Sequence, residues 1–505
     1  MKYILSLILI ITLSCQSVEK YNQFIDKKIE PQLLKDDIDY TYQKLQKFHP
    51  NLYWYISKEQ LDYKFDSLKN ATNKSLSPKE FYFQLAPVVA SVREGHLKLR
   101  SLSKKYTAKE RKQLTEQKPL FSRLQYKIID NQLYVKENKD SLGGIKVGTE
   151  ITKINNEDFS SLLKRYLPLF TSDGENKTFD KYFIDLAFFN YFTYEHGYLD
   201  SVHLKTKYDN VISDVQLKRF KKSEEEIKKD KEKTKLSTEQ KVQDFDSSSK
   251  SYNRILKFYQ DSTIAYIKIK TFSGTYSKQF YKETFEKIKK NKSQFLILDV
   301  RDNLGGSLSE INNLYSYMAL KDYTLIKKPE MTFRTSSLHQ NYFFSQNWLQ
   351  RIITAPAYPF FLIGNYFLSS KKGNQYYFYE KGSKINKPKE NAFQAKIFVL
   401  INGASFSASS IISSKLKFDK RATIIGEETG GANDGTVAGV YNTVTLPNSK
   451  LKLPIGLFLI QPNIEFENQN RGVFPDVITS QDFDQLNPKE DSTLKWALEN
   501  IKSNP

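Results

Sequence analysis

Residues 397–410 decide how the chain folds and read Ile397-Phe398-Val399-Leu400-Ile401-Asn402-Gly403-Ala404-Ser405-Phe406-Ser407-Ala408-Ser409-Ser410. The first five residues are apolar, which predicts a strand buried on both faces. Helical spacing then predicts a helix with one apolar face, formed by Ala408, Ile411, Ile412 and Leu416. The turn between them lifts Ser407 to a helix N-terminus, where unpaired N–H groups and the helix dipole favour negative charge. Serine is also a favoured N-cap residue, so this pattern leaves a structural and a nucleophilic role open.

A second turn of the same kind follows another apolar run. The run Phe295 to Val300 predicts a buried strand, and the turn after it reads Arg301-Asp302-Asn303-Leu304-Gly305-Gly306. Two glycines let a substrate approach the main chain closely, so the turn can donate N–H groups to an oxyanion. It lacks the spacing of a phosphate-binding loop, and a Gly-Gly pair is also an ordinary turn.

The flanking sequence repeats strand and helix patterns. Ile264 to Lys270 alternates as a strand does, Ser277 to Lys290 has helical spacing, and β-rich runs occupy Val437 to Leu446 and Leu451 to Ile460. Repeated units of this type predict a layered α/β domain over residues 253–500. Residues 320–390 are aromatic and irregular, and we expect them to cap the site.

Three further regions precede this domain. Residues 31–108 carry amphipathic helix patterns and predict a small helical domain. Residues 119–215 contain short β-rich runs, and 145–155 within them resemble the central signature of a PDZ module, which binds extended peptides at a sheet edge; another small β domain fits the same runs. Residues 216–252 are charged and poor in apolar side chains, which predicts a linker or a long solvated loop.

The N-terminus has the layout of a secretory signal. Met1 and Lys2 precede the apolar run Ile4 to Leu13, which is too short to span a bilayer. Cys15, the only cysteine, follows directly, so residues 1–15 resemble a lipoprotein signal peptide with Cys15 as the lipid attachment site. An ordinary cleaved signal is the alternative. Gln16 stands where an inner-membrane retention acid is common, which favours an outer-membrane or periplasmic location in a bacterial envelope.

Composition narrows the class of partner. The chain has 505 residues, a net charge of +20 and 14% aromatic residues, enough for several cores. Its densest basic stretch, Lys218 to Lys235, also holds five acidic residues, so it is a mixed-charge segment rather than a phosphate-binding stripe. We therefore expect no nucleic-acid partner.

Four ordered motifs together resemble the serine peptidase family that contains the C-terminal processing peptidases and the tricorn core protease. They are the Gly305-Gly306 turn, the turn around Ser407, the segment 425–431 and the segment 471–476. The resemblance implies a multidomain α/β protein with an N-terminal helical domain, a PDZ-like β-rich module and a crotonase/ClpP-like layered α/β catalytic domain. It matches Ser407 to the nucleophile and the N–H groups of Ala408 and of Gly305 or Gly306 to the oxyanion hole.

The resemblance also suggests the base. The processing peptidases use a lysine where this chain has Ala432, whereas the tricorn-like branch uses a histidine in a segment similar to Glu94-Gly95-His96. His96 is therefore the expected base, with four competing histidines at 49, 196, 203 and 339. Glu467 resembles that branch's orienting acid, although Glu465 competes with it. The branch's serine before the histidine is replaced by Gly95.

These observations predict an exported, lipid-anchored serine endopeptidase that acts on protein or peptide substrates. The mechanism implied by the resemblance needs no metal and no cofactor. The alternative is a catalytically degenerate peptide- or lipid-binding envelope protein on the same scaffold, motivated by Ala432, Gly95 and the aromatic region 320–390.

Overall fold

A computed structural model describes residues 17–139, 145–231, 236–247, 249–341, 348–465, 470–479 and 491–501. The predicted lipid attachment site Cys15 and the predicted orienting acid Glu467 lie outside the described residues. Within the described part of the chain, no helix combines the length and the apolar character needed to cross a bilayer.

The N-terminal region is helical. Its helices are α1 (Val18–Asp26), α2 (Pro31–Phe48), α3 (Lys58–Ala71), α4 (Pro78–Ala90) and α5 (Ala108–Thr115). Helix α4 begins with a capping box: Ser77 Oγ accepts the Glu80 N–H, and the Glu80 carboxylate accepts the Ser77 N–H. The segment after α4 leads to His96. The helices also pack on the C-terminal region, because the buried Asp37 carboxylate accepts the N–H groups of Asn448 and Ser449.

The middle region is an antiparallel sheet with two helices. Its elements are β1 (Leu124–Ile129), β2 (Gln132–Asn138), β3 (Glu150–Ile154), β4 (Glu157–Asp158), α6 (Phe159–Tyr166), α7 (Thr178–His196), β5 (Ser201–Tyr208) and β6 (Val211–Lys218). The strand order is β1-β2-β3-β5-β6, with β4 on β3. This region is β-rich as expected, and its PDZ character stays a prediction.

The segment expected as a linker, 216–252, contains regular structure. Its elements are α8 (Glu224–Lys231), α9 (Thr238–Val242), β7 (Phe245–Asp246) and β8 (Ser251–Tyr252). Val242 is buried against the main core, and the N–H groups of Asn253 and Arg254 bond to the carbonyls of Asp244 and Gln243. A single buried apolar side chain and main-chain pairing thus hold the second half of this segment, which composition alone does not reveal.

The C-terminal region contains the remaining elements. In chain order they are β9 (Arg254–Tyr259), β10 (Ile264–Ile269), α10 (Ser277–Lys290), β11 (Phe295–Asp299), α11 (Leu308–Ser316), β12 (Glu330–Met331), α12 (Trp348–Thr354), α13 (Tyr358–Leu368), β13 (Ser369–Lys372), β14 (Gln375–Phe378), β15 (Lys396–Ile401), α14 (Ala408–Phe418), β16 (Ala422–Gly426), β17 (Thr436–Thr445), β18 (Lys452–Ile460), β19 (Val477–Ile478) and α15 (Ser492–Asn500).

The C-terminal region contains a mainly parallel sheet with helices packed on both of its faces. Its strand order is β19-β16-β15-β11-β10-β9, and only β9 pairs antiparallel. One face joins the main core with α10, α11 and α14, while the other face packs on α15 through Tyr266, Ile297, Phe398 and Ala497. The predicted layered α/β domain is confirmed. The carboxyl ends of β11 and β15 carry the two turns singled out in the sequence.

A second, antiparallel sheet has the order β13-β14-β12-β18-β17. The long strands β17 and β18 confirm the predicted β-rich runs. The expectation that 320–390 is irregular is wrong for part of that region, because β12, β13 and β14 extend this sheet and α12 and α13 are inserted between them. Strands of two to four residues have too short a pattern to be seen in the sequence.

Candidate active site

Ser407 occupies a strained turn between β15 and α14. Its φ is 57° and its ψ is −119°, a conformation that non-glycine residues rarely adopt. The surrounding turn is fixed, because the Ser405 hydroxyl donates to the Val300 carbonyl and the Phe406 N–H donates to the Asn303 carbonyl. Ser407 is partly exposed while its neighbours Phe406 and Ala408 are buried. The turn therefore presents one hydroxyl at a helix N-terminus.

Two turns that contain glycine, at Gly305 and at Gly431, lie in close contact with Ser407. A Cβ built on Gly305 would lie 2.7 Å from the Ser407 Cβ, and one built on Gly431 would lie 2.8 Å from the Ser407 nitrogen. The φ of Gly305 is +103°, which itself favours glycine. Any side chain at these positions would displace Ser407, so the predicted Gly-Gly turns are needed for close approach of the main chain.

The predicted oxyanion donors are not equivalent. The Gly305 N–H donates to the Asn303 Oδ1 at 2.9 Å and is already engaged. The N–H groups of Gly306 and Ala408 have no acceptor among the described residues. Since Gly305 itself lies against Ser407, the turn leaves the Gly306 amide, together with that of Ala408, as the donors able to receive a developing negative charge.

His96 reaches this turn from the N-terminal region. Its ring packs on the ring of Phe406, the residue before Ser407, with centroids 4.9 Å apart, and 16% of its side chain is exposed. The two residues are 311 positions apart in the chain, from 96 to 407. The carboxylate of Asp173 holds the segment in place by accepting the N–H groups of Gly95 and Ala432 at 2.7 and 3.3 Å. One side chain of the middle region thus joins the other two regions at the site.

Thr436 and Glu94 orient the imidazole. The Thr436 Oγ1 lies 2.8 Å from the His96 Nδ1 and donates to the Glu94 Oε1 at 2.8 Å. The Thr436 hydroxyl has a single proton, which it donates in the hydrogen bond to Glu94. The Thr436 oxygen must therefore accept a hydrogen bond from the Nδ1–H of His96. This arrangement selects the tautomer in which Nε2 carries a free lone pair, which is the form that a general base requires.

The buried acids in this cluster hold protons tightly. Burial raises the pKa of Glu94 to about 7, although the Thr436 hydroxyl opposes the shift, and raises the pKa of Asp173 well above its ordinary value. Burial lowers the pKa of His96, and the nearby Asp173 partly offsets this. His96 is therefore neutral at neutral pH and available to accept a proton.

Sequence reasoning missed Glu94, Asp173 and Thr436. Glu94 is two residues before His96, so the same segment carried a signal for it. Asp173 lies in a turn of the middle region and Thr436 is the first residue of β17, and neither belongs to a local pattern that marks a site. Of the two predicted acids, Glu467 is outside the described residues. Glu465 is exposed, and none of the described contacts joins it to His96.

Glu94, His96 and Asp173 are also the one group in the described chain with the composition of a cation site. Their donor atoms lie within 4.8 Å of one another. However, both Asp173 oxygens already accept main-chain N–H groups, and Glu94 Oε1 accepts the Thr436 hydroxyl. Three of the four carboxylate oxygens thus already accept a hydrogen bond, and Glu94 Oε2 has none among the described residues, so these bonds tie the two acids to the segment that carries the imidazole.

Gly95 is required by the packing of the site. A Cβ there would lie 2.5 Å from the Phe406 Cζ, and that ring is fixed by stacking on Phe179 at 4.5 Å. We expect Gly95→Ser to lower kcat/KM at least 10-fold and to cost about 1–3 kcal/mol of stability through overpacking. Gly364→Ser is the matched control, because a Cβ at that position meets nothing within 4 Å. Equal peptidase rates and melting temperatures for the two variants would contradict this account.

The contribution of Glu94 to the free energy of unfolding depends on pH. Its ordinary pKa is 4.5 and its folded value is about 7, so the folded state binds the proton more tightly and loses stability as the pH rises from 4.5 to 7. At pH 8 the full penalty, about 3 kcal/mol, is present. We therefore expect Glu94→Gln to raise the free energy of unfolding at pH 8 and to leave it nearly unchanged at pH 4, as measured by denaturant titration. A gain of equal size at both pH values would show that burial of the charge is not its cause.

These groups define a serine-type peptidase, with a strained serine beside free amides and an imidazole held in one tautomer. The comparisons agree: the family model of Peptidase family S41 matches residues 263–479, so this segment is similar to that family. The chain is similar in structure to mature CPAF, with 14% identity, a TM-score of 0.59 and coverage of 94% of this chain and 96% of that one.

Two further CPAF structures are similar. Mature CPAF complexed with lactacystin has 14% identity and a TM-score of 0.58, with 94% of this chain and 98% of that chain covered. A serine-to-alanine mutant of CPAF has 15% identity and a TM-score of 0.60, covering 94% and 96%. At this identity the similarity shows the shared fold. No curated protein matches the sequence.

Proposed function

We propose that the protein is an exported serine endopeptidase in which Ser407 is the nucleophile and His96 is the general base. The observation that carries the proposal is the convergence of the two: the His96 ring packs on Phe406, directly beside the strained Ser407. A serine hydroxyl is a weak nucleophile until a neighbouring base takes its proton. His96 is placed in the tautomer that can do so.

The reaction follows from these positions. Ser407 Oγ attacks the peptide carbonyl carbon while its proton moves to His96 Nε2. The N–H groups of Gly306 and Ala408 bind the oxyanion that forms, aided by the N-terminus of α14. His96 then gives its proton to the leaving amine as the peptide bond breaks. Water attacks the acyl-enzyme while His96 Nε2 takes its proton, and His96 then returns this proton to Ser407 Oγ as the ester bond breaks and the carboxylic acid product leaves.

Thr436 and Glu94 act as positioning residues. When His96 becomes an imidazolium, its Nδ1–H still donates to Thr436 Oγ1, and the Glu94 carboxylate behind it lowers the energy of the positive charge. The proposal gives the orienting role to this pair. A role for Glu467 stays a prediction from the sequence.

The cellular location is proposed on the sequence alone. Residues 1–15 have the layout of a lipoprotein signal, with Cys15 as the acylated residue, and Gln16 favours the outer membrane or the periplasm. Substrates reaching the enzyme there would be envelope or external proteins. The PDZ-like middle region would bind extended segments of such substrates by strand addition.

A fluorophosphonate probe tests the assignment of Ser407. The probe reacts with activated serines, and we expect it to label the wild-type protein at Ser407 and to leave Ser407→Ala unlabelled. Peptide mapping by mass spectrometry locates the adduct. A wild-type protein that does not react but binds a peptide or lipid saturably would favour the degenerate binding protein instead.

A further inference from the structure

Helices α12 and α13 expose a large apolar surface. We call the apolar patch the side chains of Ile352, Ile353, Phe360, Leu362, Ile363, Tyr366, Phe367 and Leu368. Ile353, Phe360 and Phe367 are 76%, 76% and 79% exposed. Soluble domains scatter single apolar residues over their surfaces, but a contiguous group of this size marks a contact with something other than water.

The polarity of these helices is inverted. A surface helix ordinarily buries its apolar face and exposes its polar one. In α13 the one buried residue is Asn365, whose Nδ2 donates to the Arg334 carbonyl at 3.0 Å and whose Oδ1 accepts the Ser337 hydroxyl. The fold thus attaches α13 through an amide and directs its apolar side chains outwards.

The exposed side chains surround α13 rather than lining one stripe. The four consecutive residues 360–363 are 76%, 42%, 42% and 58% exposed, and consecutive residues point in directions about 100° apart. A groove on a protein partner covers one side of a helix. Lipid acyl chains surround it, so this distribution favours a bilayer over a second copy of the chain.

The charges around the apolar patch favour an anionic surface. Residues 331–379 contain no Asp or Glu, while Lys371 and Lys372, at the end of β13 three and four residues after α13, are exposed. Lys328 and Lys384 line the same groove as Phe367 and Leu368. Exposed lysines beside the apolar patch match the phosphate layer next to the acyl chains of a membrane.

The length of α13 sets the depth of the contact. Its 11 residues span about 16 Å, which is about half of a hydrocarbon core of about 30 Å. The helix therefore fits within one leaflet. We propose that the apolar patch inserts into the surface of an anionic bilayer, with the adjoining lysines at the level of the lipid phosphates.

This contact is separate from acylation at Cys15, so it is tested in a Cys15→Ser background of the full chain, in which that acylation cannot occur. Binding is measured by co-sedimentation of the protein with lipid vesicles. One set of vesicles is made of phosphatidylcholine alone, and the other contains one quarter phosphatidylglycerol. We expect binding to the mixed vesicles, with affinity reduced about 30-fold or more by Ile353→Ser/Phe360→Ser/Phe367→Ser, since each change removes a large apolar side chain. Lys371→Glu/Lys372→Glu should remove the preference for phosphatidylglycerol.

A matched triple variant controls for loss of exposed apolar area. Tyr63, Val211 and Ile478 are 73%, 65% and 82% exposed but lie outside the apolar patch, and their replacement by Ser should leave vesicle binding unchanged. In Phe360→Trp, the fluorescence of the new residue should shift to the blue and be quenched by brominated lipids.

Equal binding by both triple variants would overturn the proposal. So would light scattering that shows a dimer of the parent protein converted to a monomer by the patch variant without any vesicle binding, because the patch would then be an interface between copies.

Discussion

We expect replacement of Ser407 by Ala to lower kcat/KM for peptide hydrolysis by a factor on the order of 10⁵, because the covalent route through the acyl-enzyme is lost. The oxyanion donors Gly306 and Ala408 remain, so a small residual rate above that of water should persist. Folding should be preserved, since the Ser407 hydroxyl makes no hydrogen bond among the described contacts. The measurement is steady-state cleavage of a fluorogenic peptide or an unfolded protein.

Ser413→Ala is the matched control for this variant. Ser413 lies on the same helix α14 and is fully buried, and its hydroxyl has no partner in the described part of the chain. The same chemical change six residues further on should leave the rate within a factor of two or so. If both variants kept wild-type activity, Ser407 would not be the nucleophile, and the observed hydrolysis would need another residue.

Replacing His96 by Ala has the second-largest expected effect, a loss on the order of 10⁴-fold in kcat/KM, because Ser407 then has no base within the site. The same variant should lose fluorophosphonate reactivity in parallel. His203→Ala serves as the control, because His203 is exposed on β5, in the middle region. A comparable loss in both histidine variants would point to a general effect on folding instead.

The wild-type pH profile gives an independent check on His96. Burial lowers the pKa of this imidazole, so the neutral base should persist below pH 6.5, and activity should fall only under more acidic conditions, where His96 binds a proton. Because Glu94 and Asp173 titrate in the same cluster, the acidic limb belongs to the group as a whole. An activity that is half-lost well above pH 7 would contradict the assignment.

Local patterns were sufficient to predict the parts of the site that are built by one segment. The strand and helix around Ser407 are specified by a run of apolar residues and a helical face, and β15 and α14 confirm them. The Gly305-Gly306 turn was found in the same way. Neither pattern could show that the Gly305 amide is engaged by Asn303, because that bond depends on how the turn closes.

The parts of the site that form only when the regions pack together could not be predicted from local sequence patterns. His96 was identified only through a family resemblance, since a histidine after a helix has no distinctive local signal. Asp173 is a polar residue in a turn and Thr436 is a polar residue at the start of β17, and they meet His96 because three regions pack together. The short strands β12 to β14 were missed for a different reason, which is that they are stabilised by pairing with one another, and through β12 with β18, more than by their own sequences.

The meeting of three regions at Asp173 has a consequence for the timing of activity. The ribosome adds His96 and Asp173 long before Ser407 and Ala432, so an incomplete nascent chain carries the proposed base without the proposed nucleophile. Neither the first half nor the second half of the polypeptide contains a working centre. We therefore expect a chain that is still being synthesised to lack peptidase activity until residues 407–432 have been added and have folded against the first half.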